Sequence, residues 1–361
     1  MKLYRIGTHK RTLIFSKNNK NEEIYPNKEK LMKIKCEIDK CPQKEWDKSK
    51  KNTNEYEYIY TSANKKKNIC SVIPVSRSYF KLHEMIINFN LLKENIKCSC
   101  IAEGPGGFIH CINDYNLNYD LHIEYIYGIT LVSNDTSIPF WSQLITKNLR
   151  NKISYGKDKT GDIYKLENAT NFIETVGNHT CYLVTADGGF DYSNNYNLQE
   201  LSSYKLLFCE IYIALHIQKI GGNFVLKVFD LFSYKTIQLI YLLYNFYSII
   251  EFYKPSTSRS SNSEKYIICS GFNGCQQTYL NKLKEYFINP EELHIDIPPT
   301  FIDDINKYNN LFVKEQIDII NKILKNIKYA TDKPTKIQIS NAKKWCELYK
   351  LPINNKCIYN A

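Results

Sequence analysis

Apolar residues in the middle of the chain occur in short runs that alternate with longer amphipathic segments. Short apolar runs bounded by turn residues predict buried strands, and apolar residues at helical spacing predict helices. The predicted strands are 98–103, 125–131, 182–186, 224–229, 249–253 and 266–270. Helices are predicted over 79–92, 201–220 and 235–246. This alternation predicts an α/β protein with a doubly wound sheet and helices on both faces.

The two ends of the chain differ from this alternating centre. Residues 1–75 are rich in Lys and Asn, weakly periodic and interrupted by basic runs such as 65–67. Beyond residue 280, the segments 303–329 and 340–349 have the spacing of amphipathic helices. We therefore predict a basic N-terminal accessory segment (1–75), a central domain (76–280) and a helical C-terminal extension (281–361) packed on that domain.

Composition indicates the kind of partner that the protein binds. The chain has 361 residues, 43% of them hydrophobic, and this is enough for a sizeable core. Its formal net charge of +11, together with 29 Tyr and 17 Phe, suits a partner that offers phosphates and stackable bases. The alternative is that an AT-rich genome, as in a large DNA virus or a protist, enriches Lys and Asn without a functional cause.

The sequence shows neither a secretory leader nor a run of the roughly 18 apolar residues that a membrane span needs. We therefore expect an intracellular protein without membrane contact, cytoplasmic (in a viral factory or virion) for a large DNA virus and nuclear for a cell. The 12 cysteines are scattered, and the pairs Cys36/Cys41 and Cys98/Cys100 lack the spacing of zinc ligands. Reduced thiols without a structural metal are expected.

A glycine-rich loop follows the first predicted strand of the central domain. Residues 103–108 read Glu-Gly-Pro-Gly-Gly-Phe, directly before another helix. Glycines let backbone approach a ligand, and the first amides of a helix attract anions, so the loop could hold a nucleotide phosphate or the amino-acid end of S-adenosylmethionine. A nicotinamide-dependent dehydrogenase would need Gly-x-Gly-x-x-Gly and a ribose-binding acid, and the sequence has neither. A structural turn is the remaining alternative.

Four ionisable residues stand in motifs that suggest chemistry. Lys81 lies in the helix predicted at 79–92, and Asp187 follows a strand and precedes two glycines. Lys227 lies inside an apolar run, and Glu264 precedes the last predicted strand. An isolated Lys or Glu usually belongs to a solvated surface. An ammonium within an apolar run is costly unless a carboxylate compensates it, so we expect Lys227 to be paired.

Two lysines and two carboxylates suit methyl transfer from a sulfonium to a hydroxyl group. An in-line displacement requires alignment of both reactants and a more nucleophilic oxygen. Lys227 would stabilise charge that develops on the oxygen, or would act as a base if Lys81 and an apolar setting depress its pKa. Asp187 and Glu264 would position the lysines. This scheme requires no metal.

The series of motifs from Ser76 to about Gly271 resembles the FtsJ-like RNA 2'-O-methyltransferases, and more closely their cap-specific mRNA (nucleoside-2'-O-)-methyltransferase branch. The matching segments are 76–84, 103–108, 127–131, 161–163, 167–168, 186–190, 197–200, 227–232 and 254–266. The resemblance implies a Rossmann-like S-adenosylmethionine-dependent methyltransferase fold with a mostly parallel, seven-stranded sheet. It also implies that the family's Lys-Asp-Lys-Glu tetrad falls on Lys81, Asp187, Lys227 and Glu264.

The same resemblance suggests ligand contacts. Asp187 would lie beside the methyl donor, together with Glu103, Gly104, Pro105, Gly106, Gly107, Phe108, Asp162 and Ile163. Asn262 would face the 7-methylguanosine of an mRNA cap. Tyr196 stands where related enzymes can carry an acid that reads the cap, and its ring could stack on the base instead. Arg77 and Arg259 are candidates for RNA contacts, or alternatively for salt bridges that position Lys81 and Glu264.

The resemblance implies conversion of cap-0 mRNA to cap-1 by methylation of the 2'-oxygen of the first transcribed nucleotide. Capped mRNA is the expected partner, and other capping enzymes or RNA polymerase are further candidates. Two alternatives stay open. One is methylation of ribosomal or other RNA by the same chemistry, and the other is a non-catalytic RNA-binding subunit of a capping complex.

Overall fold

The computed structural model describes residues 3–16, 25, 28–189 and 199–359, and the central feature of this part is one mixed sheet. Its strands are β1 (Leu3–Arg5), β2 (Lys97–Ile101), β3 (Ile126–Ile129), β4 (Asn151–Ser154), β5 (Cys181–Ala186), β6 (Gln218–Val228), β7 (Tyr247–Tyr253) and β8 (Lys265–Phe272). The helices around the sheet are α1 (Lys28–Asp39), α2 (Gln43–Thr53), α3 (Ser78–Phe89), α4 (Gly107–Tyr119), α5 (Gln143–Thr146), α6 (Leu166–Val176), α7 (Gln199–Ile217), α8 (Tyr234–Phe246), α9 (Gln277–Glu285), α10 (Pro299–Asn326) and α11 (Lys336–Leu348).

The strand order is β1-β7-β8-β6-β5-β2-β3-β4. Strands β2 to β6 pair in parallel, whereas β8 is antiparallel to both of its neighbours, β6 and β7. The first parallel strand, β2, lies beside β5, so the chain winds first to one side of the sheet and then to the other. Ligands of open α/β sheets bind at the carboxyl ends of strands at such a switch point. The predicted Rossmann-like, doubly wound fold is confirmed.

The sheet has one strand more than the seven that the resemblance implied. Residues Leu3–Arg5 pair antiparallel with β7, and the Arg5 Nε donates to Glu251 Oε1 at 2.9 Å. A strand of three residues is too short for periodicity to reveal it. Strand β4 was also not predicted individually, because Asn151–Ser154 contains a single apolar residue.

One boundary moved because a polar residue that looks like a loop residue is buried in the sheet. The helix predicted at 201–220 ends at Ile217, and β6 begins at Gln218 rather than at residue 224. The Gln218 Nε2 donates to the carbonyl oxygens of Cys181 at 3.0 Å and Tyr182 at 2.9 Å. These bonds satisfy the amide inside the sheet, so the strand continues through a polar, glycine-containing sequence.

Both faces of the sheet are covered by helices. Buried side chains of α6, α7 and α8, such as Phe172 and Phe208, pack on one face, and those of α3, α4 and α11, such as Phe80 and Trp345, pack on the other. Of the two C-terminal helices, α10 packs on the first face and α11 packs on the second. No helix in the described ranges is long and apolar enough to cross a membrane.

The N-terminal segment also packs against the central part of the chain. The Lys35 Nζ of α1 forms an ion pair with Asp230 Oδ2 at 2.9 Å and donates to Ser263 Oγ at 3.1 Å. Asp230 lies two residues after the end of β6, and Ser263 lies two residues before the start of β8. The boundaries at residues 75 and 280 stay predictions, and contacts of this kind cross them.

Asp304 of α10 holds the chain that follows β1. Its carboxylate accepts hydrogen bonds from the Tyr4 hydroxyl at 2.5 Å and the Gly7 N–H at 2.7 Å, and lies 3.1 Å from the His9 Nε2. Burial opposes ionisation of this carboxyl, but the hydrogen bonds outweigh burial and lower its pKa. The contact is therefore a link between the N-terminal segment and the C-terminal helix.

We expect Asp304→Asn to lower the free energy of unfolding by about 1–3 kcal/mol at neutral pH, because the amide cannot accept from all of these donors. A carboxylate with a depressed pKa stabilises the fold above its ordinary pKa, and this contribution disappears as the pH falls below about 4. Urea unfolding should therefore show a difference at pH 7 that shrinks toward pH 3. The exposed neighbour Asp303→Asn is the control, and a difference independent of pH would contradict the prediction.

Candidate active site

Four elements bring the predicted tetrad together at the carboxyl ends of the central strands β5 and β6. Asp187 follows β5, Lys227 lies near the end of β6, Glu264 directly precedes β8, and Lys81 lies in α3. Lys227 and Tyr266 are opposite each other in the antiparallel pairing of β6 and β8. The structure therefore places all four residues together, as two ion pairs. Their catalytic role stays a prediction.

The first ion pair joins Lys227 and Asp187. The Lys227 Nζ lies 3.3 Å from Asp187 Oδ1 and donates to the Asp187 carbonyl oxygen at 2.6 Å. The Tyr266 hydroxyl donates to the same Oδ1 at 2.8 Å. Both charged side chains keep a small exposed fraction, 12% for Lys227 and 11% for Asp187. The pair is thus held by several bonds and remains accessible from one side.

The second ion pair joins Lys81 and Glu264. The Lys81 Nζ lies 2.7 Å from Glu264 Oε1 and 2.9 Å from Oε2, and the Ser258 hydroxyl donates to Oε1 at 2.7 Å. Burial would raise the pKa of Glu264, but the ammonium groups of Lys81, Lys227 and Lys254 hold it at about 2. Glu264 is therefore ionised and compensates several cations at once.

The protonation state of Lys227 differs from one that a general base requires. Burial disfavours its ammonium form, but the carboxylates of Asp187, Glu264 and Glu210 outweigh burial and raise its pKa above the ordinary value. A general base would require a depressed pKa. The direction of the shift is the opposite, so this arrangement favours Lys227 as a permanent cation.

Lys254 holds together the loop between β7 and β8. Its Nζ donates to Asn262 Oδ1 at 2.7 Å, to the Asn262 carbonyl at 3.0 Å and to the Glu264 carbonyl at 2.5 Å. Burial, with help from the nearby cations of Lys265 and Lys81, lowers the pKa of Lys254 to about 7. Asn262, the residue predicted to face the cap, therefore uses its amide oxygen within the loop, and the cap contact stays a prediction.

The glycines of the loop at 103–108 are required by protein packing. A Cβ on Gly104 would lie 2.2 Å from the Pro139 carbonyl, and one on Gly107 would lie 2.2 Å from the hydroxyls of Ser76 and Ser78. Gly106 has a φ of 104°, which disfavours other residues. Close approach to a ligand is therefore not needed to explain these glycines.

Only part of this loop has open surface. Gly104 and Pro105 are half-buried, whereas Glu103, Gly106, Gly107 and Phe108 are buried. The ring of Phe108 packs 6.1 Å from that of Tyr266, centroid to centroid. Donor contacts of the whole loop stay a prediction, and Gly104 and Pro105 are the residues of the loop that keep accessible surface for them.

The amides at the start of α4 are already used. Glu103 Oε1 accepts from the Phe108 N–H at 2.7 Å, and Oε2 accepts from the Ile109 N–H at 3.4 Å. Burial raises the pKa of Glu103 well above its ordinary value. The Glu103 carboxyl group therefore occupies the N-terminal end of α4. The sequence predicts a phosphate or an amino-acid carboxylate at this position.

The loop that contains Asp162 and Ile163 is organised by a buried asparagine. The Asn168 Nδ2 donates to Asp158 Oδ1 at 2.8 Å, to Thr160 Oγ1 at 3.2 Å and to the Asp162 carbonyl at 3.0 Å. Its Oδ1 accepts from the Asp158 N–H at 3.1 Å. Asp162 is half-buried at the end of this loop and Ile163 is buried, so the Asp162 carboxylate is the more accessible group.

The two candidate RNA-contacting arginines meet on a carboxylate of the N-terminal segment. The Arg77 Nη1 lies 3.1 Å from Glu57 Oε1, and the Arg259 Nη2 lies 2.8 Å from the same atom. This arrangement corresponds to the salt-bridge alternative, although the partner was not foreseen. An RNA contact by either arginine stays a prediction. Tyr196 lies outside the described residues.

Sequence reasoning gave no role to several residues that support the tetrad. Glu210, in α7, accepts from the Gly188 N–H at 3.2 Å, and burial raises its pKa to about 8. Glu84, one turn after Lys81, accepts from the Ser256 N–H at 2.8 Å and the Trp345 Nε1 at 3.0 Å. Glu210 is a single acid within an apolar run, the same signal that identified Lys227, and could have been found.

The fold and the site together agree with one class of protein. A doubly wound sheet with a glycine loop at its switch point and two lysine–carboxylate pairs beside it is the arrangement expected of a Rossmann-like methyltransferase. The sequence model of the FtsJ-like methyltransferases matches residues 74–272, more than half of the chain, and the chain belongs to this family. The predicted family is confirmed. Within the described residues, no group of three His, Cys, Asp or Glu could hold a metal ion.

The chain is similar to several characterised proteins. It is 29% identical over 255 residues to the cap-specific mRNA (nucleoside-2'-O-)-methyltransferase of Autographa californica nuclear polyhedrosis virus, over 70% of this chain and 86% of that protein. It is also 29% identical over 268 residues to cap-specific mRNA (nucleoside-2'-O-)-methyltransferase 2 of Pongo abelii, over 68% of this chain but 35% of the relative. The chain thus matches only about a third of that relative's length.

The chain is also similar to one solved structure, that of a putative ribosomal RNA methyltransferase from Plasmodium falciparum. Its TM-score is 0.42 and its sequence identity is 20%, over 55% of this chain and 99% of that chain.

We expect Asn168→Ala to weaken S-adenosylmethionine binding by roughly tenfold, equal to about 1.4 kcal/mol, because the loop that ends at Asp162 loses its central hydrogen-bonding residue. Isothermal titration with S-adenosylmethionine measures this directly. Asn178→Ala, an exposed asparagine after α6, is the matched control. Unchanged donor affinity in a folded Asn168→Ala variant would show that the loop does not shape the donor site.

Proposed function

We propose that the protein transfers the methyl group of S-adenosylmethionine to the ribose 2'-oxygen of the first transcribed nucleotide of capped mRNA, converting cap-0 to cap-1. The observation that carries this proposal is the presence of two ion pairs, Lys81–Glu264 and Lys227–Asp187, at the carboxyl ends of β5 and β6. The names of the Autographa and Pongo relatives support the capped substrate.

The residues at the switch point fit a cationic methyl donor. S-adenosylmethionine supplies a methyl group on a positively charged sulfur. Asp187 places a partly exposed carboxylate after β5, and Asp162 places another in the loop after β4. The half-buried residues Gly104 and Pro105 lie after β2, which pairs directly with β5. We propose that these four residues hold the donor.

Lys227 is the residue that we propose acts on the accepting hydroxyl. Methyl transfer forms an O–C bond, breaks an S–C bond and releases the hydroxyl proton to water. A fixed ammonium beside the oxygen stabilises the negative charge that the oxygen gains as its proton leaves. Asp187 and Tyr266 fix the position of Lys227 before the substrate arrives, so little reorganisation is needed during the reaction.

Glu264 and Lys81 have a supporting role in this proposal. Glu264 is ionised and compensates the cations on both sides of it, so Lys227 and Lys81 can lie close together without strong repulsion. Lys81 fixes Glu264 by contacts to both carboxylate oxygens.

The decisive experiment follows transfer of labelled methyl from S-adenosylmethionine to short RNAs with a 7-methylguanosine cap, an unmethylated guanosine cap or a 5'-triphosphate. We expect label on capped RNA, at the first 2'-oxygen. Lys227→Ala should lower the rate by about 10²–10³-fold, because the oxygen loses its stabilising cation. Lys219→Ala, at an exposed position of the same strand, should be unaffected. Label on every RNA would favour a general RNA methyltransferase, and donor binding without transfer would favour a non-catalytic subunit.

A second experiment separates stabilisation of charge from base catalysis. Lys227→Arg keeps a cation that cannot accept a proton at neutral pH, so it should retain more activity than Lys227→Ala. Because the pKa of Lys227 is raised, its titration should leave no inflection in the single-turnover rate between about pH 7 and pH 9. An inflection in this range that Lys227→Arg abolishes would show instead that Lys227 acts as a base.

A further inference from the structure

We propose that Glu57 of the N-terminal segment is a positioning residue for methyl transfer: it holds the two segments that carry Lys81 and Glu264 at the right separation. This inference rests on the proposed function. Glu57 lies before residue 74, where the match to the FtsJ-like family begins. The N-terminal segment would therefore supply a part of the active site that the family's common domain lacks.

The contacts of Glu57 are those of a built ion-pair cluster. Its side chain is 0% exposed. Oε1 lies 3.1 Å from the Arg77 Nη1 and accepts from the Arg259 Nη2 at 2.8 Å, and Oε2 accepts from the Arg259 Nε at 3.1 Å and from the Asn54 Nδ2 at 2.7 Å. Arg259 thus binds the carboxylate through two nitrogens, which fixes the plane of its guanidinium group.

Each arginine belongs to a segment that carries one member of the second ion pair. Arg77 directly precedes α3, one helical turn before Lys81. Arg259 lies in the loop that ends at Glu264, and the Arg77 Nη2 donates to the carbonyl of Thr257 in the same loop at 3.3 Å. Helix α3 and the residue before it are therefore joined to this loop directly, by Lys81–Glu264 and Arg77–Thr257, and indirectly through Glu57.

The charges explain why Glu57 affects the catalytic pair. Burial would raise the pKa of Glu57, but the two guanidinium groups outweigh burial and keep the carboxyl ionised. The two arginines repel each other, Arg259 is also attracted to Asp47, and both arginines are attracted to Glu264. Without the negative charge of Glu57, Glu264 is the carboxylate that both arginines still sense. They would compete with Lys81 for it and shift the pair out of alignment.

A further connection between α3 and the loop does not involve Glu57. Glu84 of α3 accepts from the Ser256 N–H and from the Trp345 Nε1, and so joins the helix, the loop and α11. The loop therefore has an attachment to α3 that is independent of Glu57. We expect a Glu57 variant to fold and to bind the donor, because the residues proposed for donor binding lie on other loops.

The test compares Glu57→Gln and Glu57→Asp with Glu55→Gln, the same change at an exposed position two residues earlier. In single turnovers on capped RNA, we expect Glu57→Gln to lower the rate roughly 10–100-fold, since small misplacements of reacting groups have effects of this size. The Kd of S-adenosylmethionine should be unchanged. Glu57→Asp, which keeps the charge, should recover much of the rate, and Glu55→Gln should match the wild type.

A double-mutant cycle with Arg259→Gln gives the signature of a misplaced charge. Because the surplus cation causes the damage, Glu57→Gln combined with Arg259→Gln should be less impaired than the product of the two single effects. Independent, multiplying effects would overturn the proposal. A wild-type rate in folded Glu57→Gln would overturn it as well, and would leave Glu57 a stabilising residue only.

Hydrogen exchange separates this inference from the proposed function. In Glu57→Gln, amides of 76–81 and 255–264 should exchange faster than in wild type, whereas those of β2 and β5 should not change. If wild-type protein transfers no methyl to capped RNA, the proposed function fails, and exchange still reports whether Glu57 holds the two segments. Unchanged exchange in both segments would overturn the positioning role, whatever the substrate.

Discussion

The buried cations at the carboxyl ends of β5 and β6 must be compensated by carboxylates, and the rest of this structure depends on that constraint. The ammonium groups of Lys81, Lys227 and Lys254 all act on Glu264 and hold its pKa at about 2. Removal of several charges from water is costly unless each finds partners of opposite sign and good geometry. The chain supplies these partners from the residue after β5, from α7, from the loop before β8 and from the N-terminal segment, so the site depends on segments that are far apart in the sequence.

The sequence predicted those parts of the site that have a local signal. Lys227 is conspicuous because it interrupts an apolar run, and Asp187 because it ends a strand before two glycines. Partners from distant segments leave no such trace. Glu57 lies in a polar stretch without periodicity, and its meeting with Arg259 depends on the packing of the N-terminal segment. Pairing between distant charges is decided by tertiary structure and is invisible to patterns within a window.

The fold shows the same division. Strands buried on both faces, such as β5, were predicted because burial requires continuous apolar sequence. Strand β1 has only three residues and is the outer strand of the sheet. Strand β6 begins with the polar Gln218, whose side-chain amide donates to two carbonyl groups of β5. The glycine loop was predicted in place, but its glycines serve contacts with Pro139 and Ile145, which no local pattern reveals.

The pairing of β1 with β7 has a consequence for how the chain acquires its structure. Arg5 and Glu251 are 246 residues apart, so residues 3–5 have no strand to pair with until β7 has been synthesised. Glu57 and Arg259 are separated by 202 residues. Contacts of such high sequence separation form late, after large loops have closed. A growing chain can therefore build the parallel strands β2 to β6 first, and the two ion pairs of the candidate site are complete only after the loop before β8 has been added.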